Sequence, residues 1–179
     1  MRIEKTPLGG AFEILPERIE DDRGWFARTF DAALFAADGL ASGVVQANAS
    51  FNSLEGTLRG LHFQRAPHGE PKLVRCVRGT AWDVAVDLRP ESPTYCSWHA
   101  VELSAEEGNG FFIPAGMAHG FQTLTDDCEL LYLMGHEYVA DAADGVRWDD
   151  PTFGIQWPAA PAGGRTISAR DRAYPDFQP

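Results

Sequence analysis

Apolar and polar residues alternate in short segments along most of the chain. The clearest segment is residues 81–88, AWDVAVDL, in which an apolar side chain stands at every second position and the positions between include Asp83 and Asp87. A period of two is typical of a β-strand with one apolar face, and here the other face carries carboxylates. The same reasoning predicts a tight turn at residues 78–79 and strands over residues 57–64, 73–77, 98–103, 110–113, 120–123 and 129–137.

Only one segment has a convincing helical pattern. Residues 31–38, DAALFAAD, predict a short helix opened by Asp31 in the capping position. From residue 149 onward, prolines and glycines predict an irregular segment, but Trp157, Ile167 and Tyr174 within it require a surface to pack against. We therefore expect an all-β sandwich or barrel with a few short helices, onto which the C-terminal segment packs back.

The length and charge of the chain limit the ligands it can take. Its 179 residues fit a single domain spanning residues 1–179. With 15 Lys and Arg against 26 Asp and Glu, the formal net charge is -11. This is the wrong sign for coating a nucleic acid or an anionic membrane, so we expect neither partner. A small anionic ligand would require the few basic residues to converge in one pocket.

The cysteines and the N-terminal residues indicate the cellular compartment of the protein. Cys76, Cys96 and Cys128 are an odd number without metal-type spacing, which is typical of buried thiols in a reducing compartment. Residues 1–10 contain no apolar signal segment, and no apolar run is long enough to span a bilayer. We therefore predict a cytoplasmic protein.

Two histidine-bearing segments resemble the motifs of the cupin barrels. GNGFFIPAGMAH, which ends at His119, resembles their second motif, and GTLRGLHFQ, with His62 and Gln64, resembles the first half of the other. Metal-binding cupins draw two histidines and a glutamate from the first motif, but here Gln64 replaces a histidine and Glu70 is offset from the glutamate position. Only His62 and His119 remain as ligands, fewer than the three of a usual catalytic site, so we expect no metal.

Polar residues around these motifs suit proton transfer beside a carbonyl group. A histidine is a suitable base near neutral pH, a tyrosine is a suitable acid, and a lysine stabilises an oxyanion. Arg59 lies three residues from His62, so Gly60 must bend the strand if both are to line one cavity. From these residues alone the prediction is a β-barrel with a polar pocket. The candidates are Gln46, Asn48, Ser50, Arg59, His62, Gln64, Lys72, His119, Tyr132, Tyr138 and Asp171.

Longer segments resemble one enzyme family. QANASFNSLEGTLRGLHFQ, PKLVRCVRGTAWDVAVDLR, IPAGMAHGF, WDDP and ISARD are similar to the nucleotide-sugar epimerase branch of the cupins, specifically the dTDP-4-dehydrorhamnose 3,5-epimerases. The resemblance implies a homodimeric jelly-roll barrel without a metal or organic cofactor. It also implies a 4-keto-6-deoxy nucleotide-diphosphate sugar as substrate, epimerised at C3, C5 or both, in deoxysugar biosynthesis.

The resemblance further implies a role for each site position. His62 would remove the proton beside the C4 ketone, and Asp171 would hold its imidazole in the useful tautomer. Lys72 would stabilise the enolate oxygen, and Tyr132 would return a proton from the opposite face of the sugar. The implied substrate-binding positions are Arg23, Arg59 and Arg170 for the diphosphate, Gln46 and Asn48 for the nucleotide sugar, Phe26 and Tyr138 as aromatic walls, and His119 near the substrate.

One position departs from the family pattern. In RGWFAR, Arg28 stands where the family has a glutamate that contacts the base. An arginine only donates hydrogen bonds, so Arg28 favours a base that presents acceptors, such as guanine or cytosine, unless it points into solvent. The first alternative is therefore a GDP- or CDP-linked sugar, with a C3-only or C5-only monoepimerase that keeps the same catalytic residues. More distant alternatives are a metal-dependent cupin oxygenase or isomerase that uses His62 and His119, and a non-catalytic sugar-nucleotide-binding cupin.

Overall fold

The chain folds mainly into antiparallel strands. The computed structural model describes residues 1–41 and 43–179. In chain order the elements are β1 (Arg2–Lys5), β2 (Phe12–Leu15), β3 (Arg18–Asp21), β4 (Gly24–Ala27), α1 (Ala32–Ala37), β5 (Gln46–Asn52), β6 (Thr57–Gln64), β7 (Lys72–Arg78), β8 (Thr80–Asp87), β9 (Trp98–Ser104), β10 (Gly110–Ile113), β11 (Met117–Thr123), β12 (Cys128–Met134), a 3-10 turn (Ala140–Ala142), β13 (Ala143–Gly145), β14 (Thr166–Ile167) and α2 (Ala169–Arg172).

Two sheets face each other across the main core. The first has the strand order β1-β2-β10-β7-β12-β5 and the second has β13-β6-β11-β8-β9, with β14 added in parallel to β6. Fully buried side chains from both sheets meet between them, among them Val74 and Phe111 from the first and Leu103 and Phe121 from the second. The predicted jelly-roll barrel is therefore confirmed. Strands β3 and β4 form a separate hairpin.

Strand β8 is buried on both of its faces. Ala85, which shares a face with Asp83 and Asp87, lies in the core between the sheets. Val84, on the other face, packs in an outer cluster with Phe153 of the C-terminal segment. The predicted alternation is present, but its carboxylate face points inward, where each carboxylate needs a polar partner.

The predicted helix is confirmed as α1. The Asp31 side chain accepts hydrogen bonds from the backbone nitrogens of Ala33 and Leu34, which satisfies donors that the first turn leaves unpaired. Phe35 buries the inner face of the helix against Phe30 and Phe112. Helix α1 thus covers the outer face of the first sheet.

The C-terminal segment packs back onto the barrel, as predicted. Trp157 lies edge-to-face against Trp82 and Trp148, with ring centroids 5.2 and 6.4 Å apart. Ile167 of β14 pairs with Leu58 of β6. This docking brings α2, and with it Asp171, against the second sheet.

Other boundaries differ from the sequence pattern. The pattern does not predict β1 to β5, because they lack a clean apolar alternation and all but the half-buried β2 are largely exposed. Strand β11 begins at Met117 rather than residue 120, and β12 ends at Met134 rather than residue 137. The turn at residues 78–79 joins β7 and β8, which lie in different sheets, so it is a corner of the barrel.

No helix among residues 1–41 and 43–179 is long and apolar enough to cross a membrane.

Candidate active site

A polar cavity opens at one end of the barrel. Its volume is about 320 Å³, at the lower end of the range of small-molecule sites. Both sheets contribute to its walls. The lining residues are Gln46, Asn48, Ser50, Arg59, His62, Glu70, Lys72, His119, Phe121, Tyr132, Met134 and Tyr138.

His62 and Asp171 form a hydrogen-bonded pair on the cavity wall. Nε2 of His62 lies 2.8 Å from Oδ1 of Asp171, while Oδ2 of Asp171 accepts the Gly60 N–H at 3.2 Å. Burial opposes the charge of Asp171, but the interactions with His62 and the hydrogen bonds from Gly60 and Ser168 together outweigh it and lower the pKa of the carboxyl. A charged Asp171 fixes the proton of His62 on Nε2 and leaves Nδ1 as the basic nitrogen.

A bulge in β6 places Arg59 and His62 on one cavity. Across the ladder His119 faces His62 and Phe121 faces Arg59, so three steps on β6 oppose two steps on β11. Gly60, at a φ of 120°, supplies this extra residue in a conformation that favours glycine. The bend that the sequence requires for a shared cavity is therefore present.

A second buried pair lies behind the first. Nε2 of His119 is 2.8 Å from Oδ1 of Asp83 on the neighbouring strand. Burial raises the pKa of Asp83, and its interactions with His119 and the charge of Lys72 oppose that rise. Oδ2 of Asp83 is buried and has no hydrogen-bond partner among the described residues. The interior of the barrel therefore holds a carboxylate with one oxygen unpaired.

Tyr132 stands on the wall opposite His62. It lies on β12 of the first sheet, and its ring is edge-on to His119 at 5.9 Å between centroids. Burial, reinforced by the charge of Asp83, raises the pKa of the Tyr132 phenol. The side chain therefore keeps its proton at neutral pH and can act as a proton donor.

Lys72 is a buried cation with one carboxylate partner. Its Nζ lies 2.8 Å from Oε1 of Glu70, and the two side chains line the same cavity. Lys72 is the first residue of β7, in the sheet that carries Tyr132.

Strand β5 supplies a row of polar side chains to the cavity. Gln46, Asn48 and Ser50 alternate along it and lie opposite Met134, Tyr132 and Leu130 of β12. Oε1 of Gln46 accepts the backbone N–H of Tyr138 at 3.1 Å, which ties the loop of this exposed aromatic residue to the mouth.

Two arginines flank a cleft that continues from the cavity. The cleft, of about 430 Å³, shares Arg59 and His62 with the cavity and adds Arg170 and Asp171 from α2. Nε of Arg59 donates to Oδ1 of Asn52 at 2.8 Å, which holds the guanidinium in place. Two fork-shaped cations here suit a diphosphate, because each presents parallel N–H donors.

The three predicted binding residues near the N-terminus lie elsewhere. Arg23 and Phe26 belong to the β3–β4 hairpin and border a separate shallow depression. Arg28 follows the hairpin and forms an ion pair with Asp31 at 2.8 Å. Within one chain these three residues are not brought together with the cavity that holds His62.

Gln64 performs a different task from the metal ligand at the corresponding cupin position. Its Nε2 donates to the carbonyl oxygens of His68 and Glu137, both at 3.0 Å, and its Oε1 accepts the Val139 N–H at 2.6 Å. The side chain thus ties together the two loops at the cavity mouth. Among residues 1–41 and 43–179, no group of three or more His, Cys, Asp or Glu side chains is arranged to hold a metal ion.

Comparison with known proteins assigns the family. A sequence model described as dTDP-4-dehydrorhamnose 3,5-epimerase matches residues 5–179. The chain belongs to this epimerase family. The epimerase of this name from Methanothermobacter thermautotrophicus is 48% identical over 174 residues, covering 97% of this chain and 92% of that protein.

Solved epimerase structures share the whole fold. That of the dTDP-4-dehydrorhamnose 3,5-epimerase from Elizabethkingia anophelis matches with a TM-score of 0.94 at 37% identity, covering 99% of this chain and 96% of that chain. The dTDP-6-deoxy-D-glucose-3,5-epimerase from Legionella pneumophila, in complex with dTDP-4-keto-L-rhamnose, matches with a TM-score of 0.89 at 33% identity, covering 99% of both chains.

The sequence alone does not indicate the pairing of two acidic residues at this candidate site, Asp83 and Glu70. Asp83 carries a visible signal, since a carboxylate interrupts an apolar strand and must find a partner inside the barrel. Glu70 carries a weaker signal: it stands two residues before Lys72, close enough in the chain to pair with it. In the sequence, Glu70 attracts notice only as a possible metal ligand, so its pairing with Lys72 is not predicted.

Proposed function

We propose that this chain is a cofactor-independent epimerase of a dTDP-linked 4-keto-6-deoxy sugar, inverting both carbons that flank the ketone. The observation that carries the proposal is a base and an acid on opposite walls of one cavity. His62, oriented by Asp171, stands on the second sheet, and Tyr132 stands on the first. A sugar held between the sheets would present one face to each.

The proposed reaction uses groups of this chain throughout. A hydrogen beside a ketone is acidic because the resulting negative charge spreads onto the carbonyl oxygen. Nδ1 of His62 takes this proton, the C–H electron pair forms the enolate, and the Lys72 ammonium stabilises the enolate oxygen. Tyr132 then delivers its phenolic proton to the opposite face, which inverts the carbon.

One base and one acid can serve both centres, because C3 and C5 flank the same C4 ketone. The Legionella pneumophila enzyme, described as a 3,5-epimerase and bound to dTDP-4-keto-L-rhamnose, supports double inversion of a dTDP-linked sugar. Inversion at C3 alone or at C5 alone is the alternative.

Incubation with 4-keto-6-deoxy nucleotide sugars in deuterated water, followed by NMR, tests the proposal. We expect deuterium at both C3 and C5 of the dTDP-linked sugar. The variant His62→Asn should lose this exchange and keep its affinity for dTDP in calorimetry. Deuterium at a single carbon would make the chain a monoepimerase, and full exchange by His62→Asn would refute the assigned base.

The choice of nucleotide needs its own measurement. Arg28 favours a base that presents acceptors, but in this structure its guanidinium is engaged with Asp31. We therefore propose that Arg28 does not select the base and that dTDP binds more tightly than GDP or CDP in calorimetry. Tighter binding of GDP or CDP would instead support selection by Arg28.

We also propose that the chain works as a homodimer. Ile19, Trp25 and Phe26 of the hairpin are 71%, 48% and 69% exposed, and an exposed apolar group of this kind often marks an interface. Arg23, beside them, holds its charge outside the cavity of its own chain. A partner that received this hairpin would bury the apolar side chains and gain Arg23 and Phe26 for its substrate.

Mixing two impaired variants tests whether the hairpin serves the partner. Arg23→Ala lacks the hairpin arginine and His62→Ala lacks the base. If Arg23 acts in the partner's site, a hybrid dimer has one intact site, so random pairing of equal amounts restores about a quarter of all sites. If the protein is a dimer and the mixture recovers no activity, Arg23 acts in the site of its own chain. Sedimentation as a monomer would refute the dimer.

For the compartment we propose the cytoplasm. Cys76, Cys96 and Cys128 are all free thiols, which supports a reducing environment. Fractionation of cells that produce the protein checks this, and recovery in an oxidising compartment would contradict it.

A further inference from the structure

Among the described residues that line the cavity, Glu70 is the one acidic side chain, and the proposed reaction does not use it. It is mostly buried, with its side chain 12% exposed, and Oε1 lies 2.8 Å from Nζ of Lys72. A carboxylate in a cavity for an anionic substrate is unfavourable by itself, because like charges repel. A carboxylate at this place therefore needs a role that offsets this cost, and its contact with Lys72 indicates that it acts on that lysine.

The backbone around Glu70 is fixed on several sides. The Pro71 carbonyl accepts the Gly135 N–H at 2.8 Å, and a Cβ added to Gly135 would meet the Pro71 ring at 2.7 Å. On the other side, a Cβ added to Gly69 would meet the Ala115 side chain at 3.1 Å. This packing fixes the backbone on both sides of Glu70.

Lys72 is buried, but its long side chain can reach hydrogen-bond partners in several directions. Its ammonium ends a four-carbon stem and can donate three hydrogen bonds, yet Glu70 is its only hydrogen-bond partner among the described residues. The other nearby carboxylate is Asp83, on which the Lys72 charge acts and whose Oδ2 has no partner. Without Glu70, the buried ammonium would be drawn towards Asp83, deeper in the barrel.

We propose that Glu70 is a positioning residue that holds the Lys72 ammonium at the cavity wall, where it meets the substrate carbonyl, and away from Asp83. The inference rests on the proposed epimerase function. Glu70 does not transfer a proton in this scheme. It acts only through Lys72.

The test compares variants by the rate of deuterium incorporation and by the affinity for dTDP. We expect Glu70→Ala to lower the rate by about 10- to 100-fold, since a small misplacement of a reacting group has an effect of this size, while dTDP affinity stays within about threefold. Glu70→Gln keeps an oxygen that accepts from Lys72, so it should retain most of the rate. Glu106→Ala removes the same charge from an exposed turn and is the matched control.

Coupling to Lys72 separates positioning from a general structural role. In a Lys72→Met background, Glu70→Ala should have little further effect, because the group through which Glu70 acts is gone. Equal losses in both backgrounds would overturn the proposal, as would a Glu70→Gln variant as slow as Glu70→Ala. If Glu70→Ala does not fold, Glu70→Asp, which keeps the charge but is one methylene shorter, should show the same direction of loss.

The outcomes distinguish this inference from the proposed function. A wild-type chain that incorporates no deuterium refutes the epimerase and the positioning role with it. An active wild-type chain whose rate is unchanged by Glu70→Ala refutes the positioning role alone.

Discussion

The histidine that we propose as the base depends on a single oriented carboxylate. Asp171 bonds both the His62 ring and the Gly60 backbone, so it positions the imidazole relative to the strand that carries it. Its pKa is lowered despite burial, mainly through the His62 hydrogen bond, so it remains charged at neutral pH. The charge also stabilises the imidazolium that forms when His62 takes a proton.

Asp171→Asn should therefore lower the rate of deuterium incorporation by at least about 100-fold. The amide loses the charge that stabilises the imidazolium, whereas the cavity and its arginines are unchanged. The rate is measured by NMR and dTDP affinity by calorimetry. A rate within a factor of a few of wild type would show that the orientation of His62 does not depend on this charge.

Tyr132→Phe should separate proton removal from inversion. The base is intact, so exchange of the substrate proton with solvent should continue, while the inverted product falls by at least about 100-fold without the acid. Stereochemical analysis of the deuterated sugar by NMR distinguishes the two. Tyr95→Phe, which changes a tyrosine outside the cavity lining, is the control. Normal inversion by Tyr132→Phe would require another acid.

Among the elements, the β6 bulge links fold to chemistry. It exists because Gly60 and Gly120 approach closely: a Cβ on Gly60 would lie 2.5 Å from the Gly120 Cα and 2.8 Å from the His119 carbonyl oxygen. Two strands that carry the histidines can come this close only where side chains are absent. The same approach directs Arg59 and His62 to one cavity.

Gly60→Ala should destabilise the protein by about 2 kcal/mol more than Gly24→Ala. Both glycines have a strongly positive φ, 120° and 125°, but a Cβ on Gly24 meets nothing within 4 Å. The pair therefore isolates the clash from the backbone strain. Denaturant unfolding gives the two free energies, and equal losses would show that the strands separate readily at this point.

The sequence predicts the strands in which apolar side chains recur at regular positions. Strands β6 to β12 are recognisable because side chains alternate between the barrel interior and a covered outer face. The β3–β4 hairpin and β5 are not predicted, because their exposed apolar residues, such as Phe26 and Phe51, follow no one-sided pattern within one chain.

The site is predictable to a similar extent. The family motifs indicate His62, Lys72, Tyr132 and Asp171, and the structure places the first three on the cavity and Asp171 beside His62. The Glu70 pairing depends on backbone packing around Pro71 that composition and spacing do not reveal.

At the scale of the whole molecule, one network contributes to stability in acid. Arg89, Ser92 and Thr94 all bond the buried carboxylate of Asp87 at the end of β8. Burial alone would raise the pKa of Asp87, but these hydrogen bonds outweigh it and lower that pKa to about 2. Because the folded pKa lies below the unfolded value of 3.8, the stabilisation is full above pH 4 and is lost as the pH falls towards 2.

Asp87→Asn should lower the free energy of unfolding by about 2 kcal/mol at pH 7, with the difference shrinking as the pH falls from about 4 to about 2. Urea unfolding at several pH values measures this. Asp22→Asn, at an exposed position, serves as the control. A difference independent of pH would show that lost packing, rather than charge, explains the effect.

The single domain over residues 1–179 remains a prediction, and calorimetry can test it. Because the C-terminal segment shares an apolar cluster with β8, we expect one transition with equal calorimetric and van't Hoff enthalpies. Two resolved transitions would instead divide the chain into separate units.

The distance in sequence between His62 and Asp171 has a consequence for synthesis of the chain. The ribosome makes every strand before it reaches Asp171, so the base is made 109 residues before the carboxylate that orients it. Docking of α2 completes the His62–Asp171 pair, so activity requires the C-terminal segment as well as the barrel. Premature termination or a proteolytic cut just ahead of α2 would leave a barrel that keeps Arg59 but lacks both Arg170 and Asp171, so its base is no longer oriented and its diphosphate cleft has one arginine fewer.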